Sequence, residues 1–306
     1  IRLTAKISDI ENATVIQSVV VDGSVSELFS VQDELVERLR KAFDPDLDRL
    51  PEGNASLSTG ENVSMVTAAG RFLVPEPPET MVRDADGHAT VRAVRLVDAL
   101  NLDGLLDEAI YQTVPAISGF IQQAPNEGES ASEKTEAWIF FSNTSVYVSG
   151  RVWDSAPDSA WVMNEMRRDT SQLRDNDSFW VTFDTFNDQR NAVAFYTNPI
   201  GAIGDFAITN EGNPNSDWNP VWDVRTARFD GGWTVEMEIP FKSLRYRPDS
   251  EQVWGVQLRR NIRRKNERVF LNAIPISAGR SGIFRISESA TLVGIEVPSG
   301  GKNLEI

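Results

Sequence analysis

Between residues 135 and 264 the chain is a succession of short segments in which apolar residues recur at every second position. Each segment ends in Asn, Asp, Gly or Pro. That period belongs to half-buried strands, and those residues favour the turns between them. Thr135-Glu136-Ala137-Trp138-Ile139-Phe140-Phe141 meets Ser145-Val146-Tyr147-Val148 across Ser142-Asn143-Thr144, which predicts a hairpin. Many such strands in succession close into a sandwich or barrel. The expected fold is mainly β, an antiparallel, jelly-roll-like β-sandwich, preceded by a small α+β unit.

Alternate residues of a strand point to opposite faces, so each segment sorts by parity. Phe179, Val181 and Phe183 oppose Trp180, Thr182 and Asp184. Val146, Val148 and Val152 oppose Tyr147, Arg151 and Trp153, and Val193 and Phe195 oppose Tyr196 and Asn198. Trp254, Val256, Leu258 and Ile262 oppose Gln257, Arg259, Asn261 and Arg263. One face is apolar, and the other mixes rings, amides and guanidiniums. That mixture suits sugars, because flat rings stack on pyranose faces while amides and charges bond hydroxyls. The candidate ligand surface is Trp153, Trp180, Tyr196, Arg259, Asn261 and Arg263. The competing reading is that these aromatics pack beneath loops or a second sheet, as Trp usually does.

The run Arg259-Arg260-Asn261-Ile262-Arg263-Arg264-Lys265 is the strongest local charge feature. Arg bonds acidic glycans or phosphates through two parallel hydrogen bonds. The alternative is ion pairing with Asp169, Asp175, Asp177 or Asp184. Arg260 falls on the apolar face and needs a buried carboxylate. Glu236 and Glu238 share a strand face at the spacing of a glycosidase acid pair, but that spacing is generic along any strand and solvated acids are the simpler reading. Calcium would find hard oxygen ligands in Asp-Gly clusters such as Asp103-Gly104, or at Asp205, without the loop spacing of an EF-hand.

The chain has 306 residues, net charge -15 and no Cys. The charge argues against nucleic acid as a partner, and the missing Cys removes disulfides and thiolate chemistry. Such a chain fits a reducing compartment or a bacterial secreted protein without bridges. His88 is the only His, in the polar turn Asp86-Gly87-His88, so neither a Ser-His-Asp triad nor a multi-His metal site assembles elsewhere. Haem is disfavoured because His88 lies before the expected sandwich and Met is scarce. There is no apolar run of 18 residues. No signal peptide is visible, and Ile1 starts inside a strand, as in a piece of a longer protein.

Residues 1–10 and 14–22 alternate like two strands, and Ser24-Val25-Ser26-Glu27 offers a helix capping box ahead of Leu28, Val31, Leu35, Leu39 and Phe43. This 1–45 unit resembles the closing strands and helix of TolB-like or curli-assembly-like periplasmic domains, with Phe29 through Glu34 at the helix start. Residues 46–90, rich in Pro, Gly and acids, read as a linker. Residues 91–299 are expected to hold the sandwich, with 300–306 starting a further element.

The sandwich region resembles a family 9 carbohydrate-binding module, of the DOMON-like version that precedes outer-membrane β-barrels in Gram-negative bacteria. Leu102-Asp103-Gly104 with Asp107-Glu108, Asp177-Ser178-Phe179, Asp188-Gln189-Arg190, Asn198-Pro199, Gly232-Trp233 and Ile239-Pro240-Phe241 carry the likeness over about 200 residues. The resemblance implies a β-sandwich, sugar binding and a structural calcium. It departs in one place: sugar-binding members clamp the glycan between two Trp, one just before the Asp-Ser strand, and 172–176 here holds no aromatic. The expected function is a non-catalytic, extracytoplasmic carbohydrate-binding module, periplasmic or outer-membrane-associated or secreted, with a glycan or polysaccharide as partner and a role in polysaccharide catabolism. The alternatives are a structural module docking to an outer-membrane barrel or periplasmic protein and, last, a glycoside hydrolase.

Overall fold

The computed structural model describes residues 2–8, 15–22, 64–67, 70–247 and 251–297, with side chains from residue 72 onward. The chain divides into two units, residues 1–60 and 61–306. In the first, β1 (Arg2–Ser8) and β2 (Val15–Asp22) pair antiparallel, with a register shift at Ile7/Ser8. The expected helix after residue 24 and the element expected at 300–306 lie outside the described residues.

The second unit is a two-sheet sandwich. β9 (Thr135–Phe141) and β10 (Ser145–Trp153) form the predicted hairpin, with Val146 opposite Phe141. β14 (Asp223–Phe229) and β15 (Gly232–Pro240) extend it, and β7 (Val94–Arg95) closes the other edge, giving the order β14-β15-β10-β9-β7. The facing sheet contains β5 (Met81–Arg83), β6 (Ala89–Arg92), β11 (Ser178–Asp184), β12 (Ala192–Thr197), β13 (Ile203–Ile208), β16 (Glu251–Ile262) and β18 (Ala290–Glu296). Its order is β13-β12-β11-β16-β18-β6-β5, and β8 (Ile121–Ala124) joins through β17 (Glu267–Phe270), which pairs with one end of β16. β3 (Ser64–Thr67) and β4 (Gly70–Leu73) make a separate hairpin.

Two departures from the sequence expectation follow from one segment. The linker assignment is corrected for residues 64–90, which hold β3 to β5 and the start of β6. Pro75, Pro77, Pro78 and the acids around them interrupt the pattern and mask strands of only three or four residues. β6 and β7 are also consecutive pieces of one extended run that changes sheet at the buried Ala93, whose N–H donates to the Val293 carbonyl. β6 runs parallel to β18 and β7 parallel to β9, so the sandwich is antiparallel everywhere except at these two pairings.

The apolar parity face becomes the core. Val146, Val148 and Val152 of one sheet pack with Phe179, Val181, Phe183, Val256 and Leu258 of the other in one buried cluster, as alternation requires of two facing sheets. Completely burying side chains of this size contributes roughly 1.5–3 kcal/mol each, which fixes the register because a one-residue slip would expose the whole set.

Candidate functional site

Four of the six sequence-predicted site residues are sealed. Trp180 and Tyr196 are 1% and 0% exposed, and Arg259 and Asn261 are also buried. This corrects the expectation of an open aromatic and guanidinium face. Trp180 faces Tyr196 across β12 and Arg259 across β16, so the three form a row on one face. The Trp180 and Tyr196 rings stack at 3.9 Å and 7°, and the Arg259 guanidinium lies 4.8 Å from the Trp180 ring. Tyr196 can lie flat only because Gly204 faces it: a Cβ there would stand 2.1 Å from the Tyr196 ring. The cover comes from Leu173 in the 3-10 turn Ser171–Asp175 and from Ile283 and Ile286, which form a second apolar cluster over this row. Trp153 sits on the other sheet, edge-on to Phe229 with the Lys134 ammonium 4.4 Å above its ring. Arg263 is half-buried at the rim of the Arg259 region.

The structure gathers Arg259, Asn261 and Arg263 with Arg174, Arg268 and Arg280 around a cleft of only about 10 Å3. Arg259 donates Nε–H to Asn261 Oδ1 at 2.9 Å and Nη1–H to the Arg280 carbonyl at 3.3 Å. Burial, and then the neighbouring guanidiniums, hold its pKa down to about 9. The rest of the basic run is ion-paired, mostly with partners other than those the sequence suggested. The buried Arg260 has Asp154 at 3.8 Å, Arg264 takes Asp154 at 2.6 Å, and Lys265 takes Glu133 at 2.6 Å. Of the four predicted acids only Asp175 pairs with the run, at 3.6 Å from Arg263.

A larger cavity, about 200 Å3, opens at the other end of β11, where Asp184 faces Gly255 of β16. Its wall brings together Phe72, Asp84, His88, Asp184, Asn187 and Gln189, with Ser289 and Thr291 at the start of β18. Asp184 accepts the N–H groups of Asp188 and Gln189, and burial raises its pKa against those bonds. Asn187 and Gln189 hold left-handed φ values of 49° and 59° in the turn that follows. Among the described residues their side-chain amides have no hydrogen-bond partner. Asp84 caps its own turn through the N–H groups of Asp86 and His88. His88, in its polar turn, is half-buried with Nε2 2.8 Å from the Ser289 carbonyl, tying this turn to β18. Sequence reasoning missed this site because its residues come from four separate turns and strand ends. The one available signal was the density of Asp, Asn and Gln in 184–191.

The acid pair reads differently from its spacing. Glu236 is buried under residues 103–111, accepting from Gly104 N–H at 2.8 Å and from Tyr111 Oη at 2.8 Å. Burial pushes its pKa up to about 7. Glu238 accepts from Ser145 Oγ and Tyr147 Oη. Solvation is therefore corrected for Glu236, which the 103–111 segment engages, while Glu238 is engaged by the neighbouring strand β10. Asp103 accepts from Leu105 N–H and Asn101 Nδ2, while Asp205 Oδ2 takes the Arg168 guanidinium at 2.6 Å and Trp222 Nε1–H at 3.0 Å. Arg168 pairs with Asp205, and among the described residues no three His, Asp or Glu cluster as metal ligands.

No family model matches the chain, and no curated protein does. Among solved structures the fold is similar to a putative carbohydrate-binding protein from Bacteroides uniformis, at 10% identity over 67% of this chain and 98% of that one, with a TM-score of 0.52. Two structures of a family 9 carbohydrate-binding module from Caldicellulosiruptor kristjanssonii also align. The cellotriose complex does so at 16% identity over 70% of this chain and 97% of that one (TM-score 0.46), and the glucose complex at 15% over 71% and 100% (TM-score 0.47). At these identities the likeness concerns the fold alone: the second unit is a β-sandwich of the architecture seen in the Bacteroides protein.

Proposed function

We propose that this protein is a non-catalytic carbohydrate-binding module and that the cavity at the Asp184 end of β11 holds one sugar residue. The observation that carries it is the cavity's lining. Free amides of Asn187 and Gln189 stand beside the Asp84 and Asp184 carboxylates and the aromatic wall of Phe72, in a space of about 200 Å3. A hydroxyl both donates and accepts, so it needs amides and carboxylates together, while a ring covers the C–H face of a pyranose. The volume suits a monosaccharide unit better than an extended ligand. The engagement of Glu236 by the 103–111 segment and of Glu238 by β10 supports binding without hydrolysis. The setting we propose is extracytoplasmic, at the periplasm or surface of a Gram-negative bacterium, where polysaccharides occur and where a Cys-free chain folds without bridges.

The test is titration calorimetry of the intact protein with neutral oligosaccharides selected on a glycan array. Asn187→Ala and Gln189→Ala each remove about one neutral hydrogen bond and are expected to weaken binding by about three- to tenfold with the melting temperature preserved. A folded protein that binds no neutral glycan, or variants that bind as the parent does, would refute the assignment.

A further inference from the structure

We propose that the arginine cleft between β16 and β17 is an oxyanion-binding site that takes the sulfate or carboxylate groups of an acidic polysaccharide. It is a second site, at the opposite end of β11 from the sugar cavity. The polysaccharide carrier rests on the carbohydrate reading; the affinity for the anion does not.

The first support is charge arithmetic. The chain as a whole carries a net charge of -15, yet five guanidiniums line this one cleft: Arg174, Arg259, Arg263, Arg268 and Arg280. Asp175 serves two of them, Arg263 at 3.6 Å and Arg280 at 2.8 Å. Among the described residues Arg174, Arg259 and Arg268 have no carboxylate within ion-pair distance. Glu267 also lines the cleft, but both of its oxygens take hydrogen bonds from Ser132, at 2.9 and 2.6 Å. Like charges so close repel, and a buried cation without a counter-charge is among the costlier things a fold can hold.

The second support is how rigidly the cleft is built. Arg259 is fixed by Asn261, by the Arg280 carbonyl and by the rings of Trp180 and Phe270, 4.8 and 5.7 Å from its guanidinium carbon. Arg268 donates Nε–H to Gln123 at 2.8 Å, and Arg174 Nε is buried with no hydrogen-bond partner. A packed base with room for about one water excludes a pyranose ring, so an anionic group is met at the rim, where Arg263, Arg268 and Arg280 reach solvent. Guanidinium forks match the paired oxygens of sulfate and carboxylate.

The experiment uses the intact protein. Thermal unfolding is followed in sulfate and in chloride at matched ionic strength, and binding is measured to dextran sulfate, to dextran, and to phosphatidylglycerol/phosphatidylcholine vesicles. Sulfate is expected to raise the melting temperature above the chloride value. Dextran sulfate is expected to bind at least tenfold tighter than dextran and tighter than the vesicles. Arg268→Gln and the exposed Arg280→Gln should each reduce dextran sulfate affinity about tenfold and shrink the sulfate-dependent rise. Without an added oxyanion Arg268→Gln should melt no lower than the parent, since it relieves repulsion on Arg259; a merely structural arginine would behave in the opposite way. Sulfate no better than chloride, or variants that bind dextran sulfate as the parent does, would overturn the site. Preference for vesicles would overturn the polysaccharide assignment. The inorganic sulfate arm contains no sugar, so its success with failed neutral-glycan binding would sink the cavity reading alone.

Discussion

Glu236 gives the most direct test of how the outer face of the five-stranded sheet is held. Its carboxylate lies under the 103–111 segment, with Gly104 N–H and Asp103 N–H on one oxygen and Tyr111 Oη on the other. Tyr111 gives its proton to Glu236, so Ser149 Oγ, 2.7 Å away, donates to the phenol oxygen. Desolvation outweighs these bonds, nearby Glu108 adds repulsion, and the pKa rises from 4.5 to about 7. The sign follows from proton binding. Between pH 4.5 and 7 the folded chain keeps a proton that the unfolded chain has released, so stability present below pH 4.5 is lost as pH rises through 7. Integrated from pH 5 to 8.5, the loss is about 2.5 kcal/mol. Glu236→Gln keeps the shape and cannot ionise. Its carbonyl can accept from Gly104, and its amide can donate to Tyr111 once the phenol turns toward Ser149. Urea unfolding followed by Trp fluorescence at pH 5, 6, 7 and 8.5 should show the variant gaining on the parent by about 2.5 kcal/mol across that range. A difference that stays constant with pH, or one that shrinks, would mean that the carboxylate is not destabilised by burial.

Two further outcomes test the sealed face and the acid limb. Gly204→Ala should cost about 1–3 kcal/mol, because its Cβ would displace the Tyr196 ring from Trp180, and most of that cost should vanish in a Tyr196→Ala background; equal costs in both backgrounds would contradict the close approach. Burial would raise the Glu133 carboxyl, but hydrogen bonds from Lys265 and Ser155 outweigh it and hold the pKa down to about 2. Its contribution is therefore present above pH 4.5 and lost as pH falls toward 2, so Glu133→Gln should flatten the acid limb of an unfolding curve measured from pH 2 to 5.

Much of the sandwich was legible because alternation is a property of single strands. Phe179, Val181 and Phe183 lie on one side of a pleat whatever surrounds them, and turn residues at 142–144 leave the chain little choice but to double back. What parity cannot supply is the third dimension. It places Trp180, Tyr196 and Arg259 on one face but does not say that Ile283 and Ile286, about a hundred residues later in a Ser-, Gly- and Arg-rich stretch, will lie over them. It puts Glu236 and Glu238 side by side but not that Gly104, at a φ of 86°, lies so close to β14 that a Cβ there would stand 2.7 Å from the Thr226 backbone, and brings its N–H onto one of them. The parallel strands were hidden for another reason: β6 and β7 are too short to show a period, and their pairing depends on partners distant in the chain.

The composition of the Trp180 face was misread as sugar chemistry because cation–π packing and glycan recognition draw on the same residues. A ring beside a guanidinium beside an amide satisfies a sugar, but it also satisfies itself: Asn261 takes the Arg259 Nε–H and donates to Ser178 Oγ, and Trp180 Nε1–H donates to that same oxygen. The Tyr196 hydroxyl is buried without a hydrogen-bond partner, but the cover of Leu173, Ile283 and Ile286 keeps a neutral sugar from reaching it. The free polar groups that a ligand can reach lie toward the two ends of the row. Ser178 and Asp184, the ends of β11, are six residues and so roughly 20 Å apart. Past the first are guanidiniums short of acids, and past the second are amides short of partners. The sealed middle of the strand thus acts as a rigid spacer. The chemistry a glycan can use is divided by kind, charge at one end and hydroxyl-bonding groups at the other, which is why separate probes, an inorganic anion and a neutral oligosaccharide, can address each end.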